Sequence, residues 1–146
     1  MAREDFKFSY QMRVRYSEID HQGVVFNGHY LTYFDVGHTE YMRALGMDYS
    51  GMVEDTGVDF HLAKATVEYK KPIPFDMMMD ICVRVGRIGR SSVLVIFEIY
   101  EDGTDTLLAC GEKVDVCVNL ADHRPVPVPD VYADALRVFE GSDLSG

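Results

Sequence analysis

The chain has 146 residues, which is enough for one domain with a single hydrophobic core. Hydrophobic residues make up 47% of it, a share that excludes an intrinsically disordered protein. The formal net charge of −10 argues against non-specific binding to nucleic acid, because an acidic surface is repelled by the phosphate backbone.

Two further features predict a cytoplasmic protein. No apolar run is long enough to span a membrane, and residues 1–8, MAREDFKF, carry acids where a signal peptide has basic and then apolar residues. The three cysteines, Cys82, Cys110 and Cys117, are far apart and lack Cys-x-x-Cys spacing. We therefore expect reduced, mostly buried thiols rather than disulfides or a zinc site.

The first two predicted elements are a strand and a long helix. Residues 6–17 alternate between apolar and polar side chains, as in a half-buried strand. Across residues 30–45 apolar side chains recur at steps of three and four, as on one face of a helix. Asn27 is a candidate N-cap and Gly46 a candidate C-terminal glycine. Gly37 costs about 1 kcal/mol relative to alanine inside the helix, so we expect another backbone to approach closely there.

The rest of the chain is predicted to be mostly β-structure. Four strand-like segments follow the helix, at residues 58–73, 77–89, 91–102 and 106–121. Residues 130–140 predict a short terminal helix, and residues 139–146 a flexible tail. We therefore predict a single α+β domain over residues 1–146, in which a mostly antiparallel sheet is covered on one face by the long helix. Exposed sheet edges favour oligomers.

The segment IDHQGVVFNGHY, residues 19–30, places a lone acid shortly before the start of the helix. The first N–H groups of a helix lack partners and carry partial positive charge, so an N–H of Asn27 or Gly28 is suited to polarise an ester or thioester carbonyl. The Asp20 carboxylate is then suited to attack that carbonyl carbon or to take a proton from water. The apolar residues 24–26 would keep the site dry.

The same segment has a purely structural alternative. Residues 20–23, Asp-His-Gln-Gly, are typical of an Asx turn, which explains the acid without chemistry. The histidines at 21, 29, 38 and 61 lack metal-binding spacing, so we expect no metal. His21, beside Asp20, is a candidate pocket residue. No G-x-S-x-G motif is present.

Residues 14–45, VRYSEIDHQGVVFNGHYLTYFDVGHTEYMRAL, closely resemble the signature of the hotdog-fold 4-hydroxybenzoyl-CoA thioesterase family. That family includes the acyl-CoA thioesterases associated with the bacterial Tol–Pal system. The matching positions are Asp20, Gly23, Val24, Val25, Phe26, Asn27, Tyr30, Tyr33 and Phe34. Residues 67–81 and 86–100 resemble the family's second strand and following hairpin, and the match extends over residues 8–125.

The resemblance implies a hotdog fold, in which a five- to six-stranded antiparallel sheet wraps around one long helix. It also implies a homodimer or homotetramer with active sites at the subunit interface. Asp20 matches the nucleophile or general base, and the backbone N–H of Asn27 matches the group that polarises the thioester carbonyl. The expected activity is hydrolysis of an acyl-CoA, and no cofactor is implied beyond the coenzyme A of the substrate.

Further substrate contacts are predicted around this pair and at a basic hairpin. Near Asp20 they are His21, Phe26, Gly28 and Tyr30, although Tyr30, like Tyr33 and Phe34, is equally suited to core packing. For the coenzyme A phosphates, the densest cluster of basic and hydroxyl side chains comprises Arg84, Arg87, Arg90, Ser91 and Ser92, with Lys70 and Lys71 forming another. Solubility of the hairpin is the alternative explanation for these residues.

Two other functions are weighed against the thioesterase. Hotdog hydratases and dehydratases usually carry a histidine five residues after the aspartate, and here that position is Val25. A non-catalytic acyl-CoA-binding protein with the same fold stays open, because a fold does not fix a function.

Overall fold

The computed structural model describes residues 2–145, which form five β-strands and three α-helices. In chain order they are β1 (Ser9–Arg13), α1 (His29–Ala44), α2 (Tyr49–Thr56), β2 (Val58–Tyr69), β3 (Met78–Ile88), β4 (Ser92–Glu101), β5 (Leu107–Asn119) and α3 (Asp130–Glu140). The long helix, the four long strands and the terminal helix all lie where the sequence predicts them. The first strand is shorter than predicted, and α2 was not predicted.

The strands form one five-stranded sheet in the order β1-β3-β4-β5-β2. β1 runs antiparallel to β3, with Ser9 opposite Cys82 and Arg13 opposite Met78. β3, β4 and β5 are consecutive neighbours, and the turn between β4 and β5 contains Gly103 with a φ of +71°. β1 and β2 are the two edge strands. The predicted α+β architecture is confirmed.

The residue contacts divide the chain into two compact units. The first consists of the residues up to Tyr41 together with Thr66–Arg84 and Phe97–Gly111, and the second consists of Met42–Ala65, Val85–Ile96 and the residues from Glu112 onward. Most of α1 and the segment before it lie in the first unit. The hairpin between β3 and β4, α2 and α3 lie in the second.

In the first unit, α1 packs closely against the sheet. A Cβ atom added at Gly37 would lie 2.6 Å from the Cγ2 atom of Ile81 and 3.1 Å from that of Val83. Close packing at Gly37 is present, but side chains of β3 make it, and the prediction of a neighbouring backbone was wrong. The ring of Phe34 stacks on Phe97 with 4.5 Å between the centroids. Tyr33 and Phe34 are fully buried. Burying a large apolar side chain contributes about 1.5–3 kcal/mol, so this face of α1 anchors the unit.

In the second unit, α3 presents buried residues on one face. Tyr132 and Leu136 are almost fully buried, and the ring of Tyr132 lies 5.2 Å from that of Phe60 on β2. Ser145, in the segment 139–146 predicted as a flexible tail, pairs with the end of β3, where the N–H of Ile88 donates to the carbonyl of Ser145 at 2.9 Å. Gly146 lies outside the described residues.

Helix α2 begins and ends with recognisable caps. The side chain of Asp48 accepts a hydrogen bond from the N–H of Gly51 at 3.1 Å, and Gly57, with a φ of +67°, ends the helix. An Asp N-cap and a left-handed glycine are the usual signals of helix termini. The helix was not predicted because its eight residues, with Gly51 among them, carry a weak periodic signal.

The cysteines are free, as predicted. Burial raises the pKa of Cys82 to about 11 and that of Cys117 to about 12, so both thiols stay protonated at neutral pH. Cys110 is partly exposed. In the described part of the chain, no helix combines the length and hydrophobicity that a membrane crossing requires.

Candidate active site

Two peptide groups precede the first turn of α1 and are held in fixed orientations. The helix begins at His29, whose N–H donates to the carbonyl of Phe26 at 2.9 Å. The carbonyl of Asn27 accepts from the N–H of Tyr30 at 3.4 Å and from the hydroxyl of Tyr69 at 3.1 Å. In a trans peptide the N–H points away from the carbonyl. The N–H groups of Asn27 and Gly28 therefore point away from these donors.

These two N–H groups are available to a substrate. Among residues 2–145, neither the N–H of Asn27 nor that of Gly28 donates a hydrogen bond. Both lie just before the electropositive end of a 16-residue helix. Over the same residues the side chain of Asn27 accepts no hydrogen bond, so the predicted side-chain cap is not formed.

Asp20 lies in a tight hairpin that leads directly into the helix. The N–H of Asp20 donates to the carbonyl of Val24 at 2.8 Å, and the N–H of Phe26 donates to the carbonyl of Glu18 at 2.9 Å. Ile19 and Val25 form the β-bridge between these two bonds. Asp20 and Asn27 are therefore parts of one hydrogen-bonded loop, and its geometry is set by short-range contacts.

The Asx turn that the sequence left open is present. One carboxylate oxygen of Asp20, Oδ1, accepts from the N–H of Gln22 at 2.8 Å. The N–H of Gly23, which has a φ of +77°, donates to the carbonyl of Asp20 at 3.0 Å. The second carboxylate oxygen, Oδ2, accepts no hydrogen bond among residues 2–145. The turn therefore fixes the carboxylate and leaves one oxygen for other partners.

Asp20 interacts electrostatically with Tyr30, in the first turn of α1. Burial raises the pKa of the Tyr30 phenol, and electrostatic interaction with Tyr69 and with Asp20 raises it further. Tyr30 is 3% exposed, and its ring meets that of Tyr69 edge-on with 4.7 Å between the centroids. Tyr30 is thus a buried residue beneath the candidate site, and its side chain is not exposed to a substrate as predicted for a pocket residue.

The other residues predicted around Asp20 differ in their surroundings. Val25 is buried, whereas Phe26 is 49% exposed and His21 is exposed. A Cβ atom added at Gly28 would lie 2.9 Å from the ring of Phe26, so the absence of a side chain at position 28 leaves room for that ring beside the N–H donors. The ring of Phe26 also meets that of His29 edge-on at 5.9 Å.

The predicted phosphate-binding residues are divided between the two units. Arg87, Arg90, Ser91 and Ser92 lie in the second unit, at the hairpin between β3 and β4, whereas Arg84, Lys70 and Lys71 lie in the first. Arg87 and Arg90 are exposed, and Ser91 and Ser92 are half-buried. The carbonyl of Ser91 accepts from the N–H of Cys117 at 2.7 Å. Backbone bonds of this kind fix the hairpin and leave the two guanidinium groups at the surface.

Two residues of the site were missed in the sequence. Glu18 is 3% exposed and bonds to the helix, and Tyr69 fixes the Asn27–Gly28 peptide from the end of β2. Glu18 had a signal, because it lies two residues before Asp20 in the family-like motif. Tyr69 had none, since a tyrosine at the end of a strand is ordinary.

Neither of two surface clefts is lined by Asp20 or Asn27. One, of about 460 Å³ in the first unit, is lined by residues 74–78 with Glu101 and Asp102, and its acidic lining is unsuited to the phosphates of coenzyme A. The other, of about 520 Å³, lies between the end of α1 and α3 in the second unit. Over residues 2–145, no group of three histidine, cysteine or acidic side chains is placed to hold a metal ion.

Comparison with known proteins supports a thioesterase relationship. The sequence profile of the thioesterase-like superfamily matches residues 14–136. A putative esterase of Aquifex aeolicus is 30% identical over 95 residues, which cover 65% of this chain and 73% of the relative. The acyl-CoA thioesterase YbgC of Haemophilus influenzae is 27% identical over 126 residues, which cover 86% of this chain and 90% of the relative.

Solved structures show the same fold. The PA5185 protein of Pseudomonas aeruginosa superposes with a TM-score of 0.83 at 27% identity, covering 97% of this chain and 96% of that protein. The sequence and structural matches together confirm both the resemblance to the hotdog-fold thioesterases and the predicted fold.

Proposed function

The chain belongs to the thioesterase-like superfamily and is a hydrolase, and on that premise we propose that it hydrolyses an acyl-CoA thioester to a carboxylate and coenzyme A. One observation carries the proposal. A single hydrogen-bonded loop holds a carboxylate with one unoccupied oxygen, on Asp20, and leads into two N–H donors at the start of α1, on Asn27 and Gly28.

The two N–H donors have the chemistry of an oxyanion site. As water or a carboxylate attacks the thioester carbon, negative charge develops on the carbonyl oxygen, and donors already in place stabilise it. Each donor is worth about 3 kcal/mol in the transition state. The fixed carbonyls of Phe26 and Asn27 keep the donors oriented, so no reorganisation is needed during the reaction.

Asp20 then supplies the second half of the reaction. As a general base it takes a proton from the attacking water, and as a nucleophile it forms an anhydride that water hydrolyses. In either case the tetrahedral intermediate collapses with loss of the coenzyme A thiolate, a good leaving group. The Asx turn supports both roles because it fixes one oxygen and leaves the other for the substrate.

We further propose that a second copy of the chain completes the pocket in a homodimer or homotetramer. Phe26 and Tyr69, which flank the N–H donors, are 49% and 54% exposed. Large apolar side chains beside a polar site are typical of surfaces that another protein covers. The exposed guanidinium groups of Arg87 and Arg90, which suit phosphate geometry, are proposed to bind the phosphates of coenzyme A in the cytoplasm.

The test is a panel of short aliphatic, branched and aromatic acyl-CoAs, assayed by detection of the released thiol. We expect Asp20→Asn to lower kcat by about 100-fold or more, the usual contribution of a general base. The matched contrast is the double substitution Arg87→Ala with Arg90→Ala, which should raise KM and leave kcat nearly unchanged. Circular dichroism verifies that each variant is folded.

The outcomes separate the candidate functions. Equal rates for wild type and Asp20→Asn would reject the carboxylate mechanism. Tight binding of acyl-CoA without turnover by the wild type would instead identify an acyl-CoA-binding protein. Formation of a hydrated acyl-CoA with the thioester intact would identify a hydratase.

A further inference from the structure

The side chain of Glu18 is a buried carboxylate with all of its partners in place. It is 3% exposed, and its Oε1 atom accepts from the hydroxyl of Tyr33 at 2.9 Å and from the N–H of Arg15 at 2.8 Å. Its Oε2 atom accepts from Nε and Nη2 of Arg15 at 3.0 and 2.9 Å. Four donors satisfy the charge, as a buried ion requires.

These contacts connect the two halves of the proposed site. The backbone carbonyl of Glu18 closes the hairpin that carries Asp20, by accepting from the N–H of Phe26. Its side chain is bonded to Tyr33, one turn into α1, where the ring is fully buried. Glu18 thus connects the acid-bearing hairpin to α1, the helix that directly follows the two N–H donors.

The protonation states of Glu18 and Tyr33 strengthen the hydrogen bond between them. Burial by itself raises the pKa of Glu18, but hydrogen bonds from the backbone of Arg15, from Tyr33 and from the Arg15 side chain outweigh it and lower the pKa overall. Burial raises the pKa of Tyr33, and the bond to Glu18 raises it further. At neutral pH Tyr33 therefore donates to an ionised carboxylate, which is the stronger class of hydrogen bond.

We propose that Glu18 is a positioning residue, which fixes the Asp20 hairpin relative to the start of α1, and so relative to the N–H donors that precede it, through its bond to Tyr33. This inference rests on the proposed function. Glu18 does not touch the reacting atoms and acts only through Asp20. A displacement of about 1 Å in a catalytic group can cost about 100-fold in rate. Loss of this bond is therefore expected to lower kcat while substrate binding elsewhere, and hence KM, is little changed.

The experiment removes the hydrogen bond between Tyr33 and Glu18 by changing each of the two residues in turn. Tyr33→Phe deletes only the hydroxyl, and Glu18→Gln keeps the side-chain shape but turns an amide N–H₂ toward donors. Tyr100→Phe is the matched control, because the hydroxyl of Tyr100 donates to the buried Glu98 at 2.7 Å in the same unit. All three are assayed for kcat and KM well below their melting temperatures, beside the wild type and Asp20→Asn. We expect kcat to fall about 10-fold in Tyr33→Phe, more in Glu18→Gln and less than 2-fold in Tyr100→Phe.

The outcomes distinguish this inference from the proposed function. If Asp20→Asn is inactive while Tyr33→Phe and Glu18→Gln keep the wild-type kcat, the inference is overturned and the proposed function stands. If kcat in Tyr33→Phe and Tyr100→Phe falls equally for equal losses of stability, Glu18 has only a structural role and the inference is also overturned. If the wild type hydrolyses no acyl-CoA, both fail together. Should Glu18→Gln not fold, Tyr33→Phe against Tyr100→Phe decides alone.

Discussion

At the scale of single residues, Asp20 has a structural role in an Asx turn and is also the residue proposed for the chemistry. The bond from the N–H of Gln22 occupies only Oδ1, so it restricts rotation of the carboxylate without neutralising it. A carboxylate has about four acceptor positions, and one hydrogen bond leaves most of them open. This is why the residues alone left the Asx turn and the catalyst as alternatives. The turn is the means by which the chain orients an acid on a short loop.

Tyr69 offers a residue-scale prediction. Its hydroxyl donates to the carbonyl of Asn27 at 3.1 Å, which orients the N–H of Gly28 and polarises it, since hydrogen bonds to the two ends of one peptide strengthen each other. A neutral hydrogen bond contributes about 0.5–1.5 kcal/mol, so Tyr69→Phe should lower kcat by about 2- to 12-fold. KM should change little, because the ring remains. Steady-state kinetics on the best acyl-CoA measure both values.

The control for Tyr69→Phe is Tyr16→Phe. Tyr16 is 77% exposed and its ring meets that of Phe75 at 5.8 Å, so the substitution removes an exposed tyrosine hydroxyl without touching Asn27. Equal kcat values for the two variants would contradict a role of Tyr69 at the donor peptide.

At the scale of elements, the periodic patterns of the sequence predicted the long helix and the long strands well. Local geometry, such as the start of a helix, was predicted poorly. The face of α1 and the four long strands follow from repeats of 3.6 and 2 residues, because burial of one face is a strong and repeated signal. Gly37 also predicted close packing at its position, because glycine is unfavourable inside a helix unless a side chain would not fit there. The start of α1 at His29 and the absence of the predicted side-chain cap at Asn27, among residues 2–145, depend on individual hydrogen bonds. The sequence supplies too few independent signals to fix such bonds.

Gly37 also carries the prediction for this scale. Alanine at position 37 gains up to about 1 kcal/mol in helix propensity, but its Cβ would lie 2.6 Å from Ile81 and 3.1 Å from Val83. Overpacking a core costs about 1–3 kcal/mol. The contacting Cγ2 atoms of Ile81 and Val83 are close to the backbone of β3, so they cannot move aside easily. Gly37→Ala should therefore lower the free energy of unfolding by about 1–2 kcal/mol, measured by urea denaturation.

Thr32→Ala separates propensity from packing in that experiment. Thr32 is exposed on the same helix, so its replacement changes helix propensity without meeting the sheet, and stability should rise by a few tenths of a kcal/mol. A Gly37→Ala variant that is as stable as the wild type would show that β3 can move away from α1.

At the scale of the whole molecule, the proposed substrate is an anion and the chain itself is acidic. The net charge of −10 repels a polyphosphate at long range, so binding depends on a local cluster of cations such as Arg87 and Arg90. The exposed rings of Phe26 and Tyr69 beside the proposed site accord with completion by a partner. The first point follows from the net charge of the chain, and the second from its exposed surface. The sequence alone indicated them through charge counts and through strands too long for a single helix to cover.

The edge strand β2 gives the prediction for this scale. An edge strand presents unpaired N–H and carbonyl groups, and here it also exposes 57% of Leu62 and 54% of Tyr69. We expect the protein to be at least a dimer of the 16.6 kDa chain by light scattering, and its activity per chain to fall on dilution as subunits separate. Leu62→Lys, which places a charge on that edge, should shift this fall to higher protein concentration.

Val138→Lys is the control for this substitution, because Val138 is an apolar residue on α3 that is 86% exposed and lies outside β2. It should leave the dilution profile unchanged, since a charge in open solvent disturbs no pairing strand. A wild-type chain that is monomeric by light scattering and fully active at nanomolar concentration would refute the shared pocket. The Asp20 hairpin and the start of α1 would then have to exclude water by closing over the substrate within one chain. The exposed rings of Phe26 and Tyr69 would be the first groups to examine for such closure.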